Sequence, residues 1–159
     1  NNLYLTFEVK DGKIVLEDTS LVRPLYRNSL NKRTLKFLSL NLKDFNNACS
    51  YIKFYQLLEM CIKKYDVKII AWGKNDALAL EQSFKLNYLQ PLDVRSRYMN
   101  LMQVMKNYYN YKQEIGLFNT YQELTKKEEH AQSHNAFEDA LIAREIFYIF
   151  KERINKVSV

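Results

Sequence analysis

An almost continuous apolar segment, Val67 to Trp72, constrains the fold of this chain more than any other part of its sequence. The segment is bounded by Asp66 on one side and Gly73 on the other. A short apolar run between such boundaries is typical of an interior strand that is covered on both faces of a sheet. We therefore expect a strand here, followed by a helix over about 76–86.

The N-terminal segment shows the period of a strand. Apolar and polar residues alternate from Leu3 to Lys10, and Asp11-Gly12 then supplies the strongest short hairpin signal. The following apolar pattern predicts a second strand that runs to about Val22 and is ended by Pro24. These residues therefore predict an antiparallel hairpin.

Helical periodicity dominates the rest of the chain. After an irregular, basic connection over 25–43 with a short helical turn, Asp44 is placed to cap a long helix that ends near Tyr65. Further helices are expected over about 96–107, 117–125 and 136–154, with a short strand around 92–94. In the last helix, the stripe expected to face the sheet is Ala140, Ala143, Phe147, Phe150 and Ile154.

The order of these elements predicts an α/β fold, a mixed sheet flanked by helices. Antiparallel pairing comes first, and strands reached through helices are expected to pair in parallel afterwards. With 159 residues and no convincing boundary, residues 1–159 are expected to form a single domain.

Composition limits the location and the partners of the protein. We expect no membrane span and no signal peptide, because no apolar run is long enough for either. Cys49 and Cys61, expected on one helix, lack zinc spacing, which indicates reduced, buried thiols in a cytoplasmic protein. The net charge of +6 permits a polyanionic partner.

The segment His134 to Ala140 has the pattern that acid–base or metal chemistry needs. His134 precedes Asp139 by five residues across an expected helix start, with Asn135 as N-cap and Glu138 at N3. Such a start brings an imidazole and a carboxylate toward one point, as hydrolysis of a phosphodiester requires. An ordinary capped helix is the alternative reading of this pattern.

Three segments in order resemble the DEDDh 3′–5′ exonucleases, the superfamily of the polymerase III proofreading subunit and RNase T. Residues 8–24 are similar to the family's second and third strands, and residues 69–76 resemble a strand followed by W-G-x-x-D. Residues 134–140 resemble the third motif, H-x-A-x-x-D-A, and Ile115-Gly116-Leu117 resembles a segment between these motifs. The likeness is greatest to the branch of KapD-like and histone-mRNA exonucleases.

The resemblance implies an RNase H-like fold and a two-metal site for Mg²⁺ or Mn²⁺. It places Asp76 and Asp139 as catalytic carboxylates that bind the metals, and His134 as the general base. Trp72 and Gly73 would lie beside the site and contact substrate. Stacking of Trp72 on a base and burial of Trp72 at a strand end remain alternatives.

The first motif of this family, D-x-E on the first strand, has no counterpart here. Forcing Thr6-Phe7-Glu8 into its place would put threonine where the family has aspartate. We therefore expect the first strand to be lacking and the chain to be N-terminally incomplete. A degenerate nuclease that has lost these ligands is the other explanation.

Three functions remain open from the sequence. The first is trimming of single-stranded RNA or DNA from its 3′ end by metal-dependent hydrolysis of phosphodiester bonds. The second is a catalytically inactive, nuclease-derived module that binds nucleic acid or protein, and the third is a structural or regulatory partner protein. Two smaller features leave similar alternatives: the tyrosines of 108–111 would stack bases or close a helix end, and Asp93 would be a spare carboxylate or a turn residue.

Overall fold

The computed structural model describes residues 2–8, 12–25, 30–127 and 136–157. Its strands are β1 (Asn2–Glu8), β2 (Ile14–Leu21), β3 (Ile69–Ala71) and β4 (Tyr98–Asn100). Its helices are α1 (Lys32–Phe37), α2 (Tyr51–Lys64), α3 (Asn75–Leu86), α4 (Leu101–Tyr109), α5 (Leu117–Thr125) and α6 (Ala136–Val157), with a 3₁₀ helix at Leu42–Asn47.

The chain separates into two compact units. As far as they are described, the first contains Asn1–Asp66 and Ser133–Ala140, and the second contains Val67–Gln132 and Leu141–Val159. Helix α6 therefore begins in the first unit and continues in the second. The prediction of a single domain stays a prediction.

The first unit contains the expected hairpin. Strands β1 and β2 pair antiparallel, with Asn2 opposite Leu21 and Thr6 opposite Glu17. Gly12, between the two strands, has a φ of 79°, a value at which a side chain would be strained. The hairpin prediction is confirmed.

The long helix expected from Asp44 is wrong in its first part. Asp44 instead belongs to the 3₁₀ helix, where its carboxylate accepts from the backbone N–H of Asn41 in a capping box. Helix α2 begins only at Tyr51. The chain is extended between the two helices because the Cys49 N–H donates to Leu21 O at 2.8 Å and the Cys49 carbonyl accepts from the N–H of Arg23.

The two cysteines consequently do not share a helix. Cys49 forms a bridge with Val22 at the end of β2 and is half-buried, whereas Cys61 lies in α2 with no exposed surface. Both thiols are free, and burial raises the pKa of Cys61. The expected burial of both cysteines is thus confirmed for Cys61 alone.

The second unit contains the parallel pair. Strand β3 pairs with β4, with Ile69 opposite Tyr98 and Ala71 opposite Asn100. The apolar segment therefore does form a strand, but a shorter one whose residues are half-buried rather than covered on both faces. The strand expected around 92–94 is wrong. The helix expected over about 96–107 is present but begins later, at Leu101, because the pairing with β3 places β4 at 98–100.

The main core cluster lies in the second unit, between α4, α5 and α6. Its buried members are Leu101, Met105, Leu117, Tyr121, Ile142, Ala143, Ile146 and Phe150. The stripe predicted for the last helix is correct at Ala143 and Phe150, but it omitted Ile142 and Ile146. Phe147 and Ile154 pack only at the edge of the cluster.

The structure is a mixture of helices and strands compatible with an α/β fold. Antiparallel pairing precedes parallel pairing along the chain, as expected, and the described strands form two separate two-stranded sheets. Among the helices that the structure describes, none combines the length and the apolar character needed to cross a membrane.

Candidate active site

The turn between β3 and α3 is built around Gly73. Its φ of 98° lies in a region that side chains disfavour, although a Cβ added there would meet no atom within 4 Å. The requirement for glycine at this position is therefore conformational rather than steric. This turn leads from the end of the strand directly into the helix that carries Asp76.

Strand β4 holds both polar backbone atoms of Gly73. The phenolic Oη of Tyr98 donates to Gly73 O at 2.8 Å, and Gly73 N–H donates to Asn100 Oδ1 at 3.1 Å. Tyr98 and Asn100 reach the same turn because side chains alternate along a strand, which leaves Met99 between them on the other face. Asn100 Oδ1 also accepts from the backbone N–H of Gln103 and so caps α4.

Asp76 lies in the first turn of α3 and is exposed to solvent. A carboxylate in this position is favoured by the positive end of the helix dipole. Burial raises the pKa of Tyr98 to about 12, the negative charge of Asp76 adds to the rise, and a backbone hydrogen bond from Ala77 opposes it. Tyr98 therefore stays protonated at neutral pH and remains a donor beside the start of this helix.

Trp72 is anchored in the second unit. Its side chain is half-buried against the core cluster, and its Nε1–H donates to the carbonyl of Ile115 at 3.0 Å. These contacts support the interpretation of Trp72 as a tryptophan packed at the end of a strand. They also join the turn at Gly73 to the segment that precedes α5.

Asp139 and Glu138 lie in the first turn of α6, where the sequence placed them. Asp139 is half-buried and Glu138 is exposed. His134 and its neighbour Asn135 lie outside the described residues, so the general base and the N-cap stay predictions. Asp139 belongs to the first unit and Asp76 to the second, and their convergence on one metal pair also stays a prediction.

The exposed carboxylate of Asp76 is the kind of oxygen donor that Mg²⁺ and Mn²⁺ prefer. Within the described ranges, no group of three or more His, Cys, Asp or Glu side chains is gathered as if to hold a metal ion. The donor chemistry at Asp76 therefore fits such a metal.

The sequence did not identify Tyr98, Asn100 or Ile115 as contributors to this site. Tyr98 and Asn100 were assigned to a helix, where their side chains would point in different directions. The signal that would have found them is the polar, apolar, polar order of Tyr98, Met99 and Asn100 immediately before the apolar start of α4.

The remaining candidates have structural roles in the described part of the chain. The rings of Tyr108 and Tyr109 pack against Phe150 at centroid distances of 5.2 and 5.9 Å, at the end of α4, which supports the helix-closing interpretation. Asp93 accepts hydrogen bonds from the backbone and the hydroxyl of Ser96, and these bonds lower the pKa of Asp93. Asp93 is thus a turn residue.

The fold and the site together define a mixed α/β protein that presents an exposed carboxylate from a glycine turn. No protein-family model matches the chain, and no solved structure matches it. Comparison with known proteins finds similarity to Probable 3'-5' exonuclease KapD of Bacillus subtilis (strain 168), with 26% identity over 147 residues. The match spans 89% of this chain and 68% of the relative, which supports a relationship to exonucleases at a coarse level.

Proposed function

We propose that this chain carries a metal-dependent 3′–5′ exonuclease activity that trims single-stranded RNA or DNA. The observation that carries the proposal is the similarity to a probable 3'-5' exonuclease across most of the chain. The antiparallel hairpin in one unit and the parallel pair in the other are compatible with an RNase H-like fold. The net charge of +6 is favourable for a polyanionic substrate.

In this proposal, Asp76 and Asp139 are carboxylate ligands for Mg²⁺ or Mn²⁺. Such ions stabilise the charge that develops on the phosphate during hydrolysis. The exposure of Asp76 and its place in the first turn of α3 support this role, because the carboxylate is open to solvent on a rigid element. Asp139 also lies in the first turn of a helix, α6, but it is half-buried.

His134 is proposed as the general base. An imidazole with an ordinary pKa near ~6.5 accepts a proton from water at neutral pH. Hydrolysis then adds the elements of water across the terminal P–O3′ bond. The shortened strand keeps a 3′-hydroxyl, and the released nucleotide keeps a 5′-phosphate.

The test is a trimming assay with the full-length protein on 5′-labelled single-stranded RNA and DNA. We expect a ladder that shortens from the 3′ end with manganese or magnesium and stops with a chelator. His134→Ala, Asp76→Asn and Asp139→Asn should each lower the rate by about 10²- to 10⁴-fold. Asp93→Asn is the matched control, because this carboxylate only caps an exposed turn.

Wild-type rates in His134→Ala and Asp139→Asn would contradict the site assignment. A nuclease-derived binding module is the second candidate, and the net charge of +6 is favourable for it as well. That candidate predicts that the wild-type protein binds the labelled strand without shortening it, with any metal tested.

A further inference from the structure

The start of α3 has no side-chain cap, a feature that it shares with α2 and α5. Helices commonly begin with a side chain that accepts from the first free backbone N–H groups. The N-cap of α3 is Lys74, which makes no side-chain capping bond. The position at which this helix begins is therefore set by the preceding turn rather than by its own cap.

That turn depends on Gly73, which has no conformational preference of its own. Glycine populates positive and negative φ about equally, so the φ of 98° has to be selected by other contacts. The two hydrogen bonds from β4 provide that selection, since the side chain of Tyr98 binds the carbonyl and that of Asn100 binds the N–H of the same residue. We name this pair of hydrogen bonds the Gly73 clamp.

We propose that Tyr98 and Asn100 are positioning residues that fix the carboxylate of Asp76 through the Gly73 clamp. Asp76 follows Gly73 by three residues, at the second position of α3, so a change in the turn moves the carboxylate with the helix start. The importance of that movement for hydrolysis rests on the proposed function. The existence of the Gly73 clamp does not depend on that function.

The phenol of Tyr98 binds Gly73 O, and its pKa also responds to the charge of Asp76. The charge of Asp76 contributes to the raised pKa of Tyr98, which places the two groups within electrostatic reach of each other. Tyr98 is also half-buried, and its hydrogen bond to Gly73 O is partly buried. Partial burial lowers the local dielectric and strengthens such a bond relative to one fully exposed to water.

The two members of the clamp differ in what their loss would change. Tyr98→Phe removes one hydroxyl and keeps the ring, whereas Asn100→Ala also removes the cap of α4 at Gln103. Asn100→Asp keeps the oxygen that accepts from both backbone N–H groups. Tyr98→Phe is therefore the cleaner probe, because Asn100→Ala loses the bond to Gly73 and the cap of α4 together, whereas Asn100→Asp keeps both.

The first experiment measures trimming by Tyr98→Phe in the full-length protein, with Tyr88→Phe as matched control because Tyr88 is 95% exposed. We expect kcat to fall between about 10- and 100-fold in Tyr98→Phe with KM unchanged, because the misplaced carboxylate acts in the transition state and not in binding. A Tyr98→Phe variant as active as Tyr88→Phe, in a protein whose activity needs Asp76, would overturn the inference.

The second experiment does not depend on activity. Hydrogen exchange of the Gly73 amide, followed by NMR, should be roughly 2- to 10-fold faster in Asn100→Ala and close to wild type in Asn100→Asp. If the wild-type protein trims no substrate, the proposed function fails and this exchange rate alone decides on the clamp. Equal Gly73 exchange in wild type and Asn100→Ala would then refute it.

Discussion

The phenolic oxygen of Tyr98 lies 2.8 Å from the carbonyl oxygen of Gly73, so a side chain of β4 holds the turn that starts α3. These two residues are 25 positions apart in the chain and meet because β3 and β4 pair in parallel. The contact places a neutral donor next to the acidic first turn of α3. Its consequences are open to measurement.

The first prediction concerns the titration of Tyr98. Burial, with the charge of Asp76, raises the pKa of Tyr98 to about 12 in the folded protein, against about 10 in an unfolded chain. The folded pKa is the higher one, so protonated Tyr98 contributes to the free energy of unfolding. This contribution is complete below about pH 10 and is lost as the pH rises toward about 12. The Cζ resonance of Tyr98, assigned by its loss in Tyr98→Phe, should therefore titrate near 12. An ordinary midpoint near ~10 in the folded protein would contradict this prediction.

The second prediction concerns Trp72, the single tryptophan of the chain. Trp72→Phe should lower the free energy of unfolding by about 0.5–1.5 kcal/mol, because it removes the hydrogen bond to Ile115 O while keeping an aromatic ring. Denaturant unfolding of the two proteins measures this loss. If Trp72 anchors the turn rather than stacking a base, the affinity for a single-stranded oligonucleotide stays the same in the variant. A large loss of that affinity with unchanged stability would favour stacking instead.

The third prediction concerns acid stability and the ion pair of Arg95 with Glu81, which joins the loop before β4 to α3. The hydrogen bond from Arg95 lowers the pKa of Glu81, so the stabilising contribution is present above the unfolded pKa of about 4.3. It is lost as the pH falls through the lower, folded value. Glu81→Gln should thus be less stable than wild type at pH ~7, and the difference should vanish in strong acid. Urea unfolding over this pH range provides the measurement, with exposed Glu114→Gln as control.

The fourth prediction concerns the core face of α6. Ile146 has no exposed surface and lies in the core cluster, so Ile146→Ala should lower the free energy of unfolding by about 2–5 kcal/mol. Val157 is 76% exposed, and Val157→Ala should change the free energy of unfolding by less than about 0.5 kcal/mol. Chemical denaturation distinguishes the two. Similar losses in both variants would show that the cluster does not hold α6 as described.

Several elements were predictable from local signals. The alternation of β1 and β2 with Gly12 between them gave the hairpin, and helix periodicity gave α3, α5 and α6 within a few residues. These signals work because strand pairing across a tight turn and the packing of one helix face both involve residues that are close in sequence. The acidic first turns of α3 and α6, with Asp76 and Asp139, were predictable for the same reason.

Other features depended on partners far away in the chain. Cys49 is extended rather than helical because its backbone binds the end of β2, and Tyr98 to Asn100 form a strand because β3 lies beside them. The apolar residues of 92–94 suggested a strand, but Val94 is buried as part of a loop. In a short stretch of sequence, apolar residues that are buried in a loop look the same as apolar residues of a paired strand.

The sequence by itself determined where most helices lie and which of them begin with a carboxylate, because helix periodicity and acidic first turns are local properties. Only the tertiary structure decided that Tyr98 and Asn100 hold Gly73, because two side chains and one backbone turn come together solely through the parallel pairing of β3 with β4. The alternation of Tyr98, Met99 and Asn100 is compatible with a strand, but three residues are too few to show which distant strand they pair with.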